Sequence, residues 1–449
     1  MGREPDARLV ADARRFHTRR LIHALVRRDT ALFDEPTRRQ SISLWVSWLA
    51  GVSVAAVCAA SALIVPPDST GDAPIVMVRD TGALYVRIEH RLHPVFNLTS
   101  ARLIARSPAN PVPVTASAAA TAEHGPALGI PGAPAQLGRT VHVPVWMACD
   151  AEQTTVFAGG PVDQLHEQAV PVLSTPAGDN SAVTYLLYDG GRAEVDRRDI
   201  AAVRALRIDG VVPTPISRVL LDLLPELPTI TAPTIADVGT LGAAGYRIGQ
   251  VLRMVRAGST EYYVVLAHGF QRVGEVAADL IRFTYGVGGG DVPVVNPEAV
   301  ASVEVVNELA VATFPVRVQA PGSSRDVCVR WQPGGTSAVL AGTPSAVRAT
   351  QLAQADGAGP HVDAVALAGG QSTYVRAVGV TGDRSGGPLY VMTDSGVLYG
   401  IRDEQTAGYL GLSGPPVDAP WPLLAQLPQG PELAVEAAEL QRDTLPARP

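Results

Sequence analysis

Three cysteines are the groups in this chain with covalent chemistry to offer, and their surroundings divide them. Cys58 lies inside an uncharged apolar run, where it acts as a small apolar side chain. That leaves Cys149 and Cys328, and in an oxidising compartment two cysteines favour one disulfide. Such a bond would close a loop of ~180 residues and restrict the unfolded chain by roughly 4 to 5 kcal/mol, less any native strain. Two unrelated buried thiols are the alternative. Catalytic chemistry is harder to find. A Walker A loop ends in Gly-Lys, its lysine reaching the terminal phosphates, yet all 36 cationic side chains here are Arg. The glycine cluster from Tyr285 to Asp291 runs into Pro293 and Pro297 and reads as a loop, not as a phosphate cradle. The nine His are scattered, His90 and His93 in one candidate hairpin and His268 in a turn, with no His-Glu-x-x-His spacing for zinc. Gly411-Leu-Ser-Gly-Pro415 misses the nucleophile elbow and reads as a helix-ending turn. Asn97-Leu-Thr99 matches a glycosylation sequon, for which a helix cap is explanation enough, and Glu194 with Asp196 reads as a solvated face. No catalytic residue, metal ligand or cofactor site is assigned.

The elements around these groups start from Ser41 to Val65, 25 residues without a charge. As a helix the run would be ~37 Å long, enough to cross a ~30 Å hydrocarbon core with tilt. Arg38 and Arg39 precede it, Pro66, Pro67 and Asp68 end it, and Trp45 and Trp48 lie at interfacial depth. A signal peptide fits poorly, because 40 residues of charged sequence come first. Residues 1–40 carry ten Arg against six acidic side chains, a net of +4, which leaves −11 for the rest of a chain that totals −7. The positive-inside rule therefore predicts a single-pass plasma-membrane protein, N-terminus cytoplasmic and residues 66–449 periplasmic. An acidic exported part is a poor partner for nucleic acid. In the cytoplasmic segment Leu9, Ala13, Phe16, Leu21 and Leu25 fall at near-helical spacing. The expected amphipathic helix would line its polar side with Arg14, Arg15, Arg19, Arg20, Arg27 and Arg28, facing anionic headgroups or a partner protein.

The exported part has a weak internal repeat. Tyr185-Leu-Leu-Tyr-Asp-Gly-Gly191, Tyr263-Val-Val-Leu-Ala-His-Gly269 and Tyr390-Val-Met-Thr-Asp-Ser-Gly396 each run from Tyr through an apolar strand to Gly, then resume as a second strand. A hairpin turning at Gly191, Gly269 and Gly396 is expected, since Gly tolerates positive φ. Tyr85 to Val95 is a fourth copy, one residue shorter and without the Gly. A short helical candidate follows each hairpin, three of them opening on the capping residues Asn97, Asp199 and Asp403. Irregular intervals exclude a solenoid. The fold expected is α+β: a large periplasmic domain of four small ββα-type repeats around a central mixed α/β domain. The corresponding segments are 1–40 (basic), 41–65 (transmembrane), 66–110 (repeat 1) and 111–180 (linker and start of the central region, with Cys149). Next come 181–210 (repeat 2), 211–258 (connecting region), 259–285 (repeat 3), 286–385 (central domain, with Cys328) and 386–449 (repeat 4 and C-terminal segment). Stretches such as Asn110 to Pro134 and Thr229 to Pro233 read as loops or linkers.

Stretches spread along the whole chain resemble the EccB family, a core membrane component of type VII (ESX) secretion systems. They include Arg19-Arg-Leu-Ile-His-Ala-Leu-Val-Arg-Arg-Asp-Thr30, Leu92-His-Pro-Val-Phe-Asn-Leu-Thr-Ser-Ala-Arg-Leu103, Gly129-Ile-Pro-Gly-Ala-Pro134 and Trp146-Met-Ala-Cys149. Later ones are Pro213-Thr-Pro-Ile-Ser217, Tyr262-Tyr-Val-Val-Leu266, Cys328-Val-Arg-Trp331, Ala419-Pro-Trp-Pro-Leu-Leu424 and Asp443-Thr-Leu-Pro-Ala447. The resemblance implies a structural subunit of a multimeric inner-membrane complex in an actinobacterial envelope. Its implied partners are an EccC-like FtsK-type ATPase, EccD-like and EccE-like membrane subunits, other copies of itself, a membrane-anchored subtilisin-like protease and the cell wall. It also implies a periplasmic disulfide between Cys149 and Cys328. Family members have been labelled ATPases, so an ATP hydrolase, with ATP as its only cofactor, is the alternative, beside a peptidoglycan-binding anchor. His268 stands where the family commonly has Asp, and Glu89-His90 replaces a Gly-containing turn.

Overall fold

The computed structural model describes residues 7–28, 36–64, 71–159, 165–167, 171–178, 183–256, 258–319, 326–342, 348–357, 359–383 and 386–442. Two compact units divide the chain, Met1–Ser69 and Thr70–Pro449. The first holds two helices, α1 (Ala7–Arg27) and α2 (Pro36–Ile64). On a helix turning ~100° per residue, positions seven apart nearly coincide and positions four apart are neighbours. Arg14 therefore shares a side with Leu21, Arg15 with Ile22, and Arg20 with Phe16. One polar side lined by all the arginines is not what this register gives: the apolar stripe changes sides near Arg19. The side chain of Arg27 lies outside the described residues, and Arg28 follows the helix with a positive φ. Helix α2 contains nearly all of the uncharged run, with its described side chains confined to residues 43–58. Among the described residues no helix is long and apolar enough to cross a membrane.

The second unit begins with β1 (Ile75–Val78), β2 (Leu84–Ile88), β3 (Arg91–Val95), α3 (Leu98–Ala105), β4 (Val112–Val114) and α4 (Ala116–Thr121). After β5 (Arg139–Thr140) come β6 (Trp146–Asp150), β7 (Thr154–Ala158) and β8 (His166–Glu167). A second group is β9 (Val172–Pro176), β10 (Thr184–Tyr188), β11 (Gly191–Val195), α5 (Ile200–Ala205), β12 (Thr214–Ile216), α6 (Arg218–Asp222) and β13 (Glu226–Leu227). The third is β14 (Val251–Arg256), β15 (Ser259–Val265), β16 (Phe270–Val273), α7 (Glu275–Tyr285), β17 (Val294–Val295) and α8 (Pro297–Ala301). Then follow β18 (Val327–Gln332), β19 (Thr336–Ala341), β20 (Thr350–Gln351) and β21 (Ala364–Ala366). Last are β22 (Gln371–Val378), β23 (Leu389–Thr393), β24 (Leu398–Ile401), α9 (Glu404–Leu410), β25 (Val417–Pro420), α10 (Trp421–Leu424) and α11 (Val435–Ala438).

Four sheets share one path: β3-β2-β1-β4, β11-β10-β9-β12, β16-β15-β14-β17 and β24-β23-β22-β25. In each, three antiparallel strands are followed by a helix, and a fourth strand returns parallel to the first. We call these modules 1 to 4. Their unit is larger than ββα. The strand before each hairpin and the parallel strand after the helix are joined by non-local pairing, which local spacing does not reveal. Module boundaries shift accordingly: β14 falls in the expected connecting region, β17 and β22 in the expected central domain. Asn110 to Pro134 is no linker, since it supplies β4 and α4.

Apolar packing joins the modules in pairs. Leu103 of α3 and Ala407 and Leu410 of α9 share one core, which unites modules 1 and 4. Ala202 and Ala205 of α5 pack with Ala277 and Ile281 of α7 in another, uniting modules 2 and 3. Between the pairs in sequence runs a separate sheet, β20-β21-β7-β6-β18-β19-β8. It is assembled from two distant segments, residues 146–167 and 327–366, and not from one continuous central domain.

Candidate functional site

On β6 and β18, Cys149 stands directly opposite Cys328, and the two form a disulfide across a sequence separation of 179. Trp146 is likewise paired with Trp331. The tryptophans and the disulfide do not share a layer, as their proximity in sequence suggests. Three positions along a strand reverse the side-chain direction, so they occupy opposite faces of one sheet. Trp146, Ala148, Val327, Val329 and Trp331 lie in a core with Leu187, Ile216 and Val219 of module 2 and Val375, Met392 and Leu398 of module 4. Both indoles donate to module 4 backbone, Trp146 Nε1 to Asp418 O at 3.2 Å and Trp331 Nε1 to Val380 O at 2.8 Å. The other face gathers Met147, Cys149, Phe157, Leu165, Cys328 and Leu340 into a smaller cluster.

Asp150 ends β6 on the tryptophan face and grips module 2. Its carboxylate accepts from Ser217 N at 2.6 Å, Ser217 Oγ at 2.8 Å and Thr154 Oγ1 at 2.9 Å. Burial pushes this carboxyl above the usual carboxylate range, and the Ser217 and Thr154 hydrogen bonds pull it back in part. Close by, the fully buried Asp363 accepts from the backbone N–H groups of Thr154, Asp356 and Gly357 at 2.7 to 2.8 Å. A cleft of ≈ 270 Å³ opens over Asp150, Thr154 and Ser217. Every oxygen of the two carboxylates is engaged by protein donors, so the arrangement joins elements and has the chemistry of a latch. This latch was not legible in sequence, because its partners are 67 and 209 residues apart.

The turn glycines have unequal roles. Gly396 has φ +76°, and a Cβ there would meet Leu352 and Val365 of the central region. In module 2 the positive φ falls on Asp189 and Gly190. Gly191 instead begins β11, where a Cβ would press into the Leu227 side chain. Gly269 also lacks a positive φ and is required by the approach of Glu304 O. Glu89 supplies the left-handed residue of the shorter module 1 turn. No group of three or more metal-ligating side chains occurs among the described residues.

Fold and site together define a class: a modular α+β protein whose paired modules are joined to a disulfide-bridged central sheet. The family description "Type VII secretion system ESX-1, transport TM domain B" matches residues 3–447. The ESX-3 secretion system ATPase EccB3 of Mycolicibacterium smegmatis is 32% identical over 470 residues, 97% of this chain and 90% of the relative. The ESX-1 secretion system ATPase EccB1 of the same species is 32% identical over 97% of this chain and 95% of that protein. Among solved structures, a chain of the intact ESX-5 inner membrane complex aligns with TM-score 0.72 and 28% identity, covering 100% of this chain and 98% of that one. The EccB3 dimer from the ESX-3 core complex aligns with TM-score 0.72 and 30% identity over 82% of this chain and 100% of that chain. The chain belongs to the EccB family, components of the inner-membrane core complexes of ESX type VII secretion systems.

Proposed function

We propose that this chain is a scaffold subunit of such a secretion complex, anchored by the Ser41–Val65 run as a single membrane span. Residues 1–40 are then cytoplasmic and residues 66–449 periplasmic. The four modules act as repeats that space and orient neighbouring subunits, with the central sheet as their common support. Its partners are an EccC-like FtsK-type ATPase, EccD-like and EccE-like membrane proteins and further copies of the chain. The carrying observation is the likeness, over all of this chain, to a chain of an intact ESX-5 inner membrane complex. An EccB3 dimer among the similar structures supports self-association. Purification in mild detergent tests the reading: the chain should bring down an FtsK-like ATPase and a multi-span protein, and a lone monomer would count against it.

The relatives' names include the word ATPase, which keeps a hydrolase reading in play. ATP turnover by the purified chain that one defined point substitution abolishes would support it. A peptidoglycan-binding anchor is the remaining alternative, supported if the periplasmic part sediments with cell wall.

A further inference from the structure

Modules 3 and 4 carry the same arginine in the same place. Arg253 on β14 stands opposite Tyr262, one residue before the Tyr263 that opens the repeat. Arg376 on β22 stands opposite Leu389, one residue before Tyr390. In module 4 the partners of this arginine come from the module itself. Its guanidinium lies 3.0 Å from the carboxylate of Glu404, the first residue of α9, and Asp418 of β25 faces it in register. Module 3 has neither arrangement. Glu275, the first residue of α7, is held by Arg207 at 2.6 Å and by Arg317 at 2.9 Å, and the residue facing Arg253 is Val294. Among the described residues no carboxylate pairs with Arg253, whose side chain is exposed.

The sheet around Arg253 is equally open. Val251, Val264 and Val273 pack with α7, but the cover stops short of the hairpin tip. Only Arg253 and Met254 of β14 pair with β17, whereas β25 runs on to Val378 of β22. Val255 is accordingly 52% exposed where its counterpart Val378 is 3% exposed, and Val294 is 58% exposed. Side chains paired in register point the same way, so Val294, Arg253 and Tyr262 form a row across this face. Beyond Tyr262 a cleft of ≈ 320 Å³ opens, lined also by Val273 and Val316. An isolated exposed valine is ordinary. Two valines, a cleft walled by tyrosine and a guanidinium without a carboxylate, all in one row, are the anatomy of a docking surface. Neighbouring strands lie about 4.8 Å apart and alternate residues of an extended chain about 7 Å apart. Alternate residues of a segment crossing the strands therefore reach the cleft, Arg253 and Val294 in turn.

We propose that this face of module 3 docks an extended segment of another protein with apolar, acidic and apolar residues at alternate positions. The first apolar side chain seats in the cleft beside Tyr262, the carboxylate pairs with Arg253, and the second apolar side chain covers Val294 and Val255. The incoming acid takes the part that Glu404 plays for Arg376, and this complementarity selects an acidic protein segment over a neutral or basic one.

The probe that tests this is acetyl-Leu-Ser-Asp-Ser-Leu-amide with a photoreactive first leucine, added to the full chain in detergent. Cross-links should map to residues 260–262 and 316–317, and excess unlabelled peptide should compete them away. Arg253→Glu should cut capture by roughly tenfold or more, and a peptide with Lys in place of Asp should bind that variant and not the wild type. Val294→Asp should weaken capture of the acidic peptide without changing hydrogen exchange in β6 and β18. Equal capture by wild type and Arg253→Glu, with β6 and β18 protected in both, overturns the proposal. So does binding of phosphatidylglycerol vesicles through Arg253 with no capture of the peptide. Capture that vanishes as the chain is concentrated also overturns it, because a second copy then covers the face.

Discussion

The tryptophan face of the central sheet buries Trp146 and Trp331 beneath modules 2 and 4, whereas the disulfide face covers its cysteines with one small cluster. On the first face the stabilisation is distributed over a large apolar contact and two indole N–H bonds. On the second, a covalent bond joins neighbouring strands that are far apart in sequence. The difference shows two solutions to the same difficulty: β6 and β18 come from segments with no local reason to meet. Hydrophobic packing selects the register from one side, and the disulfide holds it from the other.

Truncating the packed face should have the largest effect. Trp331→Ala removes a fully buried indole and leaves its Val380 partner without a donor, for an expected loss of about 3 to 5 kcal/mol in denaturant unfolding. Cys149→Ser should follow, at about 2 to 5 kcal/mol, through loss of the native bridge. If the cysteine substitution proved the more damaging by a clear margin, the contrast between the faces would be reversed. Thiol labelling of the unfolded, unreduced chain gives a separate check: one reactive cysteine, Cys58, against three if no bridge exists.

How far these faces could be read from sequence depends on the range of each interaction. The four hairpins are local; the Tyr-to-Gly pattern marked three of them, and its shorter relative from Tyr85 marked the fourth. The helix caps were equally legible: Asn97, Asp199 and Asp403 each accept from the first turn they open. The parallel return strand of each module and the Asp150 latch depend on partners far along the chain, whereas the strand before each hairpin pairs with its neighbour in sequence, as Arg256 with Ser259, and lacked only the Tyr-to-Gly mark. The two faces are a different case. Strand periodicity of two already places Trp146 and Cys149 on opposite sides, so the information was present once β6 was recognised as a strand.

The latch on the tryptophan face should give a smaller, pH-dependent effect. Asp150 has its carboxyl raised in the folded protein, so the folded state holds that proton more tightly than the unfolded chain does. The associated stability is full below the unfolded value of about 4 and is lost as pH rises through the raised folded value. Asp150→Asn should remove this dependence. It should also cost about 1 to 3 kcal/mol, because an amide group then confronts a Ser217 donor. An unaltered pH profile would mean that the carboxyl titrates without linkage to folding.

Asp403, in module 4 and away from the central sheet, should show the opposite sign and the smallest effect. Its hydrogen bond from Thr406 N holds its carboxyl below the usual range, with no large burial opposing it. Here the stability is present above the unfolded value of about 4 and is lost as pH falls through the lower folded value. Asp403→Ala removes one N-cap bond at an exposed helix end, for an expected loss of about 0.5 to 1 kcal/mol at neutral pH that fades in acid. Thermal unfolding of the two variants across roughly pH 3 to 7 separates them. The Asp150→Asn difference should grow toward acid as the wild-type latch takes up its proton, and the Asp403→Ala difference should shrink. Parallel curves would mean that the latch is as solvated as the cap, and that the tryptophan face is far less sealed than its packing requires.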